Sequence, residues 1–229
     1  MADAIPKHIG YIVDGNRRWA KKHGIPTYEG HLAGYNSLLE VVQATFEAGV
    51  SCVSLYVFST ENWKRDRAEI ENILGLMLKV LQGDLKLFEE GKIRLRIMGS
   101  REGVNAKIAK AIDEAEARTA HYTNGTLALC FNYGGQAEIA DALKSLIRAG
   151  VSADDVTPEL ISQHLYLPEI PPLDLVVRTS GEQRLSNFML WRAAYSELLF
   201  LEKLWPDMTK DDVTAILEEY TRRGRRFGG

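Results

Sequence analysis

Short apolar runs, rich in β-branched or aromatic residues and each closed by a polar or glycine-bearing loop, recur along the chain at Ile9 to Val13, Val53 to Phe58, Ile93 to Met98, Thr126 to Phe131 and Leu175 to Val177, with a weaker sixth at Leu198 to Leu201. This pattern predicts strands. Helical patterns fill most of the intervals: about Leu32 to Ala48, ended by Gly49; Arg67 to about Glu90; Asn105 to about His121; and about Gln136 to Ala149. A further helix starts at Thr157-Pro158, and Pro168, Pro171 and Pro172 mark a loop before the fifth strand. The alternation predicts right-handed crossovers and an α/β fold: a single domain over residues 1–229, with a mainly parallel six-stranded sheet flanked by helices. In such sheets ligands bind beyond the carboxyl ends of the strands. Nearly every chemically interesting residue of this chain falls there.

The segment from Arg67 to Glu90 carries too many apolar residues for one stripe. Ile70, Ile73, Leu74, Met77, Leu81, Leu85 and Phe88 lie along one side, while Leu76, Val80 and Leu87 populate another. Two readings stand: a helix buried on two sides, or a helix with one side on the sheet and the other lining an apolar cavity. Gly75 and Gly83 are the places where it is expected to bend.

Composition narrows the partners. With 229 residues, 45% hydrophobic, the chain can bury one sizeable core. Its 28 basic and 31 acidic residues leave a net charge of -3, so no global field draws in nucleic acid or an anionic membrane. Anions must be bound locally. Cys52 and Cys130 sit in or beside apolar runs, as buried reduced thiols do, which fits a reducing compartment. No leader pattern and no run of membrane-spanning length is seen, so the expected location is the cytoplasm. His8, His23, His31, His121 and His164 show no zinc-ligand spacing.

The densest chemistry follows the first strand, where an apolar run breaks into Asp14-Gly15-Asn16-Arg17-Arg18-Trp19. Gly15 permits a sharp turn, the arginines offer forked donors for phosphate oxygens, and Asp14 can hold a divalent cation; a plain ion pair is the alternative. His31 is placed near a helix start, to meet a phosphate or merely to cap. The second centre is Asp174 to Glu197, where Arg178, Arg184 and Ser186 could hold one diphosphate or form a surface ion-pair cluster. Glu197 offers a second carboxylate for a cation. The tail from Arg222 to Gly229 holds four arginines, a basic end that is either solvated or functional.

Five segments in order carry a resemblance: His8 to Ala20, Phe58-Ser59-Thr60-Glu61-Asn62-Trp63, Asn132-Tyr133-Gly134-Gly135, Asp174 to Glu182, and the closing Arg-rich Phe227-Gly228-Gly229. Over nearly its whole length the chain closely resembles the cis-prenyltransferase, or undecaprenyl diphosphate synthase, family. The resemblance implies a homodimer with an apolar substrate tunnel and Mg2+ dependence. It also implies repeated addition of isopentenyl diphosphate to an allylic diphosphate, farnesyl or geranyl, in the Z configuration.

Residue roles follow from the resemblance. Asp14 would be the essential acid acting through Mg2+, and Asn62 would assist proton removal. Gly15, Asn16, Arg17, Arg18 and His31 would bind the allylic diphosphate, with Trp19 positioning the substrate. Ser59, Thr60, Glu61, Trp63 and Arg65 would belong with Asn62 to a mobile loop closing over the reacting ends. Arg178, Arg184, Leu185, Ser186 and Asn187 would hold isopentenyl diphosphate, Glu197 would be a second metal carboxylate, and the basic tail would complete a partner subunit's site. The product would partition to the membrane, making a peripheral membrane position an alternative to a purely cytoplasmic one.

Arg17, Thr27, Gln136 and Gln183 depart from the residues relatives often carry. Val57 narrows the implied tunnel while Gly125 offers little obstruction, so product length stays open. A short-chain Z-prenyl diphosphate synthase and a non-catalytic regulatory subunit are the alternatives. Retention of Asp14, Asn62 and both arginine clusters argues against the second. No Walker or dinucleotide glycine signature supports an unrelated phosphate-binding domain.

Overall fold

The computed structural model describes residues 5–223. Strands β1 (His8–Ile12), β2 (Cys52–Ser59), β3 (Ile93–Met98), β4 (Gly125–Tyr133), β5 (Leu175–Arg178) and β6 (Glu197–Phe200) form one sheet in the order β3-β4-β2-β1-β5-β6. Every pairing is parallel. The α/β class and all six expected strands are therefore present. All five residues of β1 are buried, as a central strand covered on both faces requires.

Eight helices accompany the sheet among the described residues: α1 (Asn16–His23), α2 (Thr27–Glu47), α3 (Arg67–Leu78), α4 (Leu85–Glu90), α5 (Ala106–Thr119), α6 (Gly135–Arg148), α7 (Pro158–His164) and α8 (Lys210–Arg223). The larger core joins the sheet to α2 through Val41 and Val42, to α5 through Ile108 and Ile112, and to α8 through Val213 and Ile216. A smaller core holds Tyr133, Leu173, Phe188 and Met189. Beside it Arg192 donates to buried Glu138 at 2.5 Å, and Tyr133 donates to the same carboxylate at 2.5 Å. That network holds α6 against the loop preceding β6.

Four expectations need correction. The residues from Asn16 onward are not a loop but α1, and α2 begins at Thr27 rather than near Leu32, which moves His31 into its second turn. The helix expected from Arg67 to Glu90 breaks at a π-turn over Lys79–Gly83. Gly83 closes that turn, whereas Gly75 sits inside regular α3 and bends nothing. Helix α8 carries no expectation from the sequence reading at all.

His8 is the one basic side chain in β1 and is fully buried. Its Nδ1 lies 2.8 Å from the Pro171 carbonyl and its Nε2 2.8 Å from Ser54 Oγ. A carbonyl only accepts, so Nδ1 carries the proton and Nε2 accepts from the serine hydroxyl. Burial pulls the imidazole from 6.5 down to about 4, against the opposing Pro171 carbonyl. The folded state thus binds fewer protons than the unfolded chain between those values, so stability is full above pH 6.5 and falls as pH drops toward 4. Linkage gives a loss of about 2 kcal/mol between pH 7 and pH 5 from this group alone. Urea unfolding at the two pH values should show it, and His8→Gln should remove that component; an equal acid loss in the variant would acquit the histidine.

Candidate active site

Asp14 and Arg178 meet because β1 and β5 are neighbours, with Ile12 opposite Arg178. Two residues beyond the end of β1, Asp14 Oδ2 accepts from Arg178 Nη2 at 3.0 Å and lies 3.3 Å from Arg18 Nη2. The backbone there is fixed by Thr179, whose Oγ1 accepts from the Asp14 amide at 3.0 Å and donates to the Asp14 carbonyl at 2.6 Å. Gly15 then turns with φ of +115°, and a Cβ there would come within 3.2 Å of the Leu204 Cα. Glycine is thus required on both conformational and steric grounds. Partial burial works to raise the Asp14 pKa, but the hydrogen bond and charge of Arg178, with the charge of Arg18, outweigh it and hold the carboxyl below its ordinary value.

Arg178 is almost wholly buried. Its Nη1 donates to the Arg184 carbonyl at 2.5 Å and to Ser186 Oγ at 2.7 Å, so one guanidinium joins Asp14 to the loop carrying the other predicted anion ligands. Arg18 similarly donates to the Ser180 carbonyl at 2.8 Å and to its hydroxyl at 2.5 Å, and pairs with Glu182 at 3.2 Å. Arg184 also pairs with Glu182. The loop needs unusual backbone: Ser180, Ser186, Asn187 and Met189 all have left-handed φ. Such positions persist only where surrounding contacts over-determine them.

On the opposite side, α1 packs closely on the start of α2. A Cβ at Gly34 would lie 2.3 Å from Asn16 Oδ1, which is buried with no protein partner. One turn earlier on α2, His31 Nε2 lies 3.2 Å from Glu69 Oε1. The same oxygen accepts from Arg65 at 2.9 Å and lies 4.0 Å from Arg17. Burial lowers the His31 pKa and Glu69 opposes that shift. Glu69, on α3, thus gathers two of the predicted phosphate ligands, Arg17 and His31, together with Arg65 of the expected loop, a role the sequence reading missed. Its only linear signal is the four-residue spacing from Arg65.

The segment after β2 is a short 3-10 helix over Thr60–Lys64, closed by a reciprocal cap between Ser59 and Asn62. Asn62 Oδ1 accepts from the Ser59 amide at 3.1 Å. Glu61 accepts from Asn187 at 3.0 Å, and Trp63 Nε1 donates to Asn132 at 2.7 Å, so the segment is tied to the loop before β6 and to the end of β4.

These groups surround the mouth of a cavity of about 870 Å³. Asp14, Asn16, Arg18, His31, Asn62 and Arg178 are among its polar walls. Below them the lining turns apolar, with Tyr35 and Leu38 from α2, Val57 from β2, Ile73 and Met77 from α3, and Phe131 from β4. Of the second apolar set, Leu76 and Val80 line the cavity and Leu87 does not, while Ile73 and Met77 reach it from the first set, so the two stripes do not divide cleanly between sheet and cavity. Gly125 does not line it; a Cβ there would strike the Phe46 ring at 2.6 Å.

Not every predicted residue arrives. Trp19 turns away from the cavity, its indole donating to Asp207 at 2.6 Å and stacking on His23 at 4.1 Å. Thr60, Trp63 and Leu185 are beside the site but outside the cavity lining. Glu197 opens β6 opposite Leu175, which itself lies opposite Ile9, so it stands at the amino end of the sheet and pairs with Arg223 at 3.4 Å. The fold does not bring Glu197 to Asp14 within this chain. Among the described residues no cluster of three or more His, Cys, Asp or Glu could cage a metal. The residues expected in the closing tail beyond Arg223 lie outside the described residues. Glu69→Gln should release Arg65 and speed tryptic cleavage between residues 64 and 67 severalfold; an unchanged cleavage rate would show that Glu69 does not restrain this segment.

Residues 12–228 match the model of a family described as "Putative undecaprenyl diphosphate synthase". An isoprenyl transferase of Thermotoga maritima is 44% identical over 227 residues, covering 98% of this chain and 97% of that protein. A trans,polycis-polyprenyl diphosphate synthase of Thermobifida fusca, named as (2Z,6E)-farnesyl diphosphate specific, is 44% identical over 99% of this chain and 82% of its own. Lavandulyl diphosphate synthase from Lavandula x intermedia, solved with dimethylallyl diphosphate, superposes with a TM-score of 0.94 at 29% identity, over 98% of this chain and 99% of that one.

Proposed function

The chain belongs to the undecaprenyl diphosphate synthase family of prenyltransferases, and we propose that it condenses isopentenyl diphosphate with a short allylic diphosphate to give a Z-prenyl diphosphate. The observation that carries this reading is the placement of two sets of anion-binding donors, joined through Asp14 and Arg178, at the polar mouth of one apolar-walled cavity. Arg18, His31 and Arg65 would hold the allylic diphosphate, with Arg17 reaching it from the exposed side. Arg178, Arg184, Ser186 and Asn187 would hold isopentenyl diphosphate. The allylic hydrocarbon would then fill the cavity.

In the reaction the allylic C–O bond breaks and its electron pair leaves on diphosphate. The isopentenyl double bond attacks the carbon so released, and a proton leaves the new fragment. Positioned guanidinium and imidazole donors stabilise the departing charge without reorganising, and holding both reactants in one site supplies orientation. Asn62, at the mouth and able to give up its Ser59 contact, is the residue placed to assist the proton's departure. The segment from Ser59 to Arg65 would exclude water. Each added unit gains by burial, about 0.8 kcal/mol per methylene, until the cavity is full.

Asp14 fits Mg2+ as a ligand: it is ionised, partly exposed at the mouth, and stands where diphosphate oxygens and waters would complete the shell that this ion prefers. When bound, the ion would neutralise diphosphate charge. Glu197 could enter such a shell only from another subunit. The homodimer reading is supported by exposed apolar side chains on α6 and around the edge strand β6, where Ile147 is 75% and Tyr195 76% exposed. No helix among the described residues is long and apolar enough to cross a membrane, and we place the enzyme in the cytoplasm, meeting the membrane through its product. The farnesyl and geranyl diphosphates are the proposed primers. The likeness to lavandulyl diphosphate synthase favours a short-chain product as the second reading.

Labelled isopentenyl diphosphate should be incorporated with either primer in a Mg2+-dependent manner, and separation by length should distinguish a ladder from a single short product. Asp14→Ala should lower turnover roughly a hundred- to a thousandfold with unchanged circular dichroism. Normal turnover by that variant would remove Asp14 from the mechanism. Sedimentation should show a dimer that Ile147→Asp weakens; a monomeric, fully active wild type would refute the dimer.

A further inference from the structure

Tyr35 lies four residues after His31 on α2, on the same helix face and about 6 Å further along the axis. It lines the cavity and is 6% exposed, yet its hydroxyl has no hydrogen-bond partner. A buried tyrosine is ordinarily held by a bond to that hydroxyl. Here the polar contact is on the ring instead: Lys79 Nζ stands 4.5 Å from the ring centroid. Lys79 is exposed and outside the cavity lining, and it opens the π-turn that ends α3. π-turns recur at functional sites because they displace side chains from the regular helical track. The ring therefore lies between the cavity and a solvent-side cation, bridging α2 to the end of α3.

We propose that Tyr35 is the specificity-determining residue for the length of prenyl chain the cavity accepts, and that Lys79 sets this limit by bracing the ring from outside. The proposal rests on the prenyltransferase reading above. An allylic diphosphate anchored at Arg18 and His31 sends its tail toward Tyr35, directly below. A prenyl chain is hydrocarbon throughout and offers the orphan hydroxyl no partner, so passage depends on the ring moving aside. Packing and the cation–π contact oppose that movement, and no hydrogen bond shares the task. Lys79 thus acts on the chain without touching it, which a residue of simple bulk cannot do.

The test compares binding of two inert analogues, dimethylallyl and farnesyl thiolodiphosphate, by calorimetry with wild type, Lys79→Met, Tyr35→Ala and Tyr35→Phe. The quantity read is the ratio of farnesyl to dimethylallyl affinity. Lys79→Met should raise it roughly two- to fivefold, the worth of an exposed cation–π contact. Tyr35→Ala should raise it further, about tenfold or more, as additional methylenes find burial. Tyr35→Phe keeps the braced ring and should stay nearer wild type than Tyr35→Ala, which guards against a misfolded alanine variant. A ratio unchanged in Tyr35→Ala overturns the proposal, and a shift in Tyr35→Ala without one in Lys79→Met overturns the brace. Failure of wild type to bind either analogue overturns the underlying prenyltransferase reading, a result distinct from both.

Discussion

The buried guanidinium of Arg178 is the constraint on which the site depends. It is 4% exposed and divides its donors between Asp14 on one side and the Arg184 carbonyl and Ser186 hydroxyl on the other. A buried cation is tolerable only when paired and hydrogen-bonded, and leaving it without its acid costs about 3–5 kcal/mol. The same pairing that makes the cation tolerable also fixes Asp14 as an ionised acid and holds the Ser180–Met189 loop in backbone conformations that non-glycine residues seldom adopt. One side chain thus both pairs with Asp14 and anchors the strained loop.

The side of the site built from α3 and the 3-10 segment is organised by the opposite charge. Glu69 collects Arg65, His31 and Arg17, while Glu61 is held by Asn187 and Trp63 by Asn132. The site is thus bounded by a carboxylate that gathers two arginines and a histidine and by a cation surrounded by acceptors. An anion entering between them would have to compete with Glu69 for the same donors.

The strands were legible because each is an apolar run bounded by turn residues, and central parallel strands buried on both faces carry that signal most clearly. β1 and β5, which position Asp14 and Arg178, were among them. The extra apolar residues of the α3 region announced more buried surface than one stripe needs, but the cavity draws on both stripes, through Ile73 and Met77 as well as Leu76 and Val80. Helix α1 was hidden because Arg17, Arg18, Lys21 and Lys22 give it no apolar stripe; it is held by capping glycines and by close approach to Gly30 and Gly34. The π-turn at Lys79 leaves no trace in a periodicity. Glu69 and Glu197 show the limit of linear reasoning from both directions: one acid reaches the site from a helix face that its spacing only hints at, and the other lies on the expected strand but at its wrong end.

The strand order has a consequence for biosynthesis. β1 pairs on one side with β2 and on the other with β5, which lies far later in the chain, so Ile12 waits for Arg178. At synthesis rates of about 5–20 residues per second, the interval is on the order of ten seconds. Through that time one edge of the most buried strand stands unpaired, and Asp14 lacks the cation that later holds it. The edge of β1 that will carry the Asp14–Arg178 contact therefore stays open until β5 has been made, an exposure that falls on a strand buried on both faces in the finished fold.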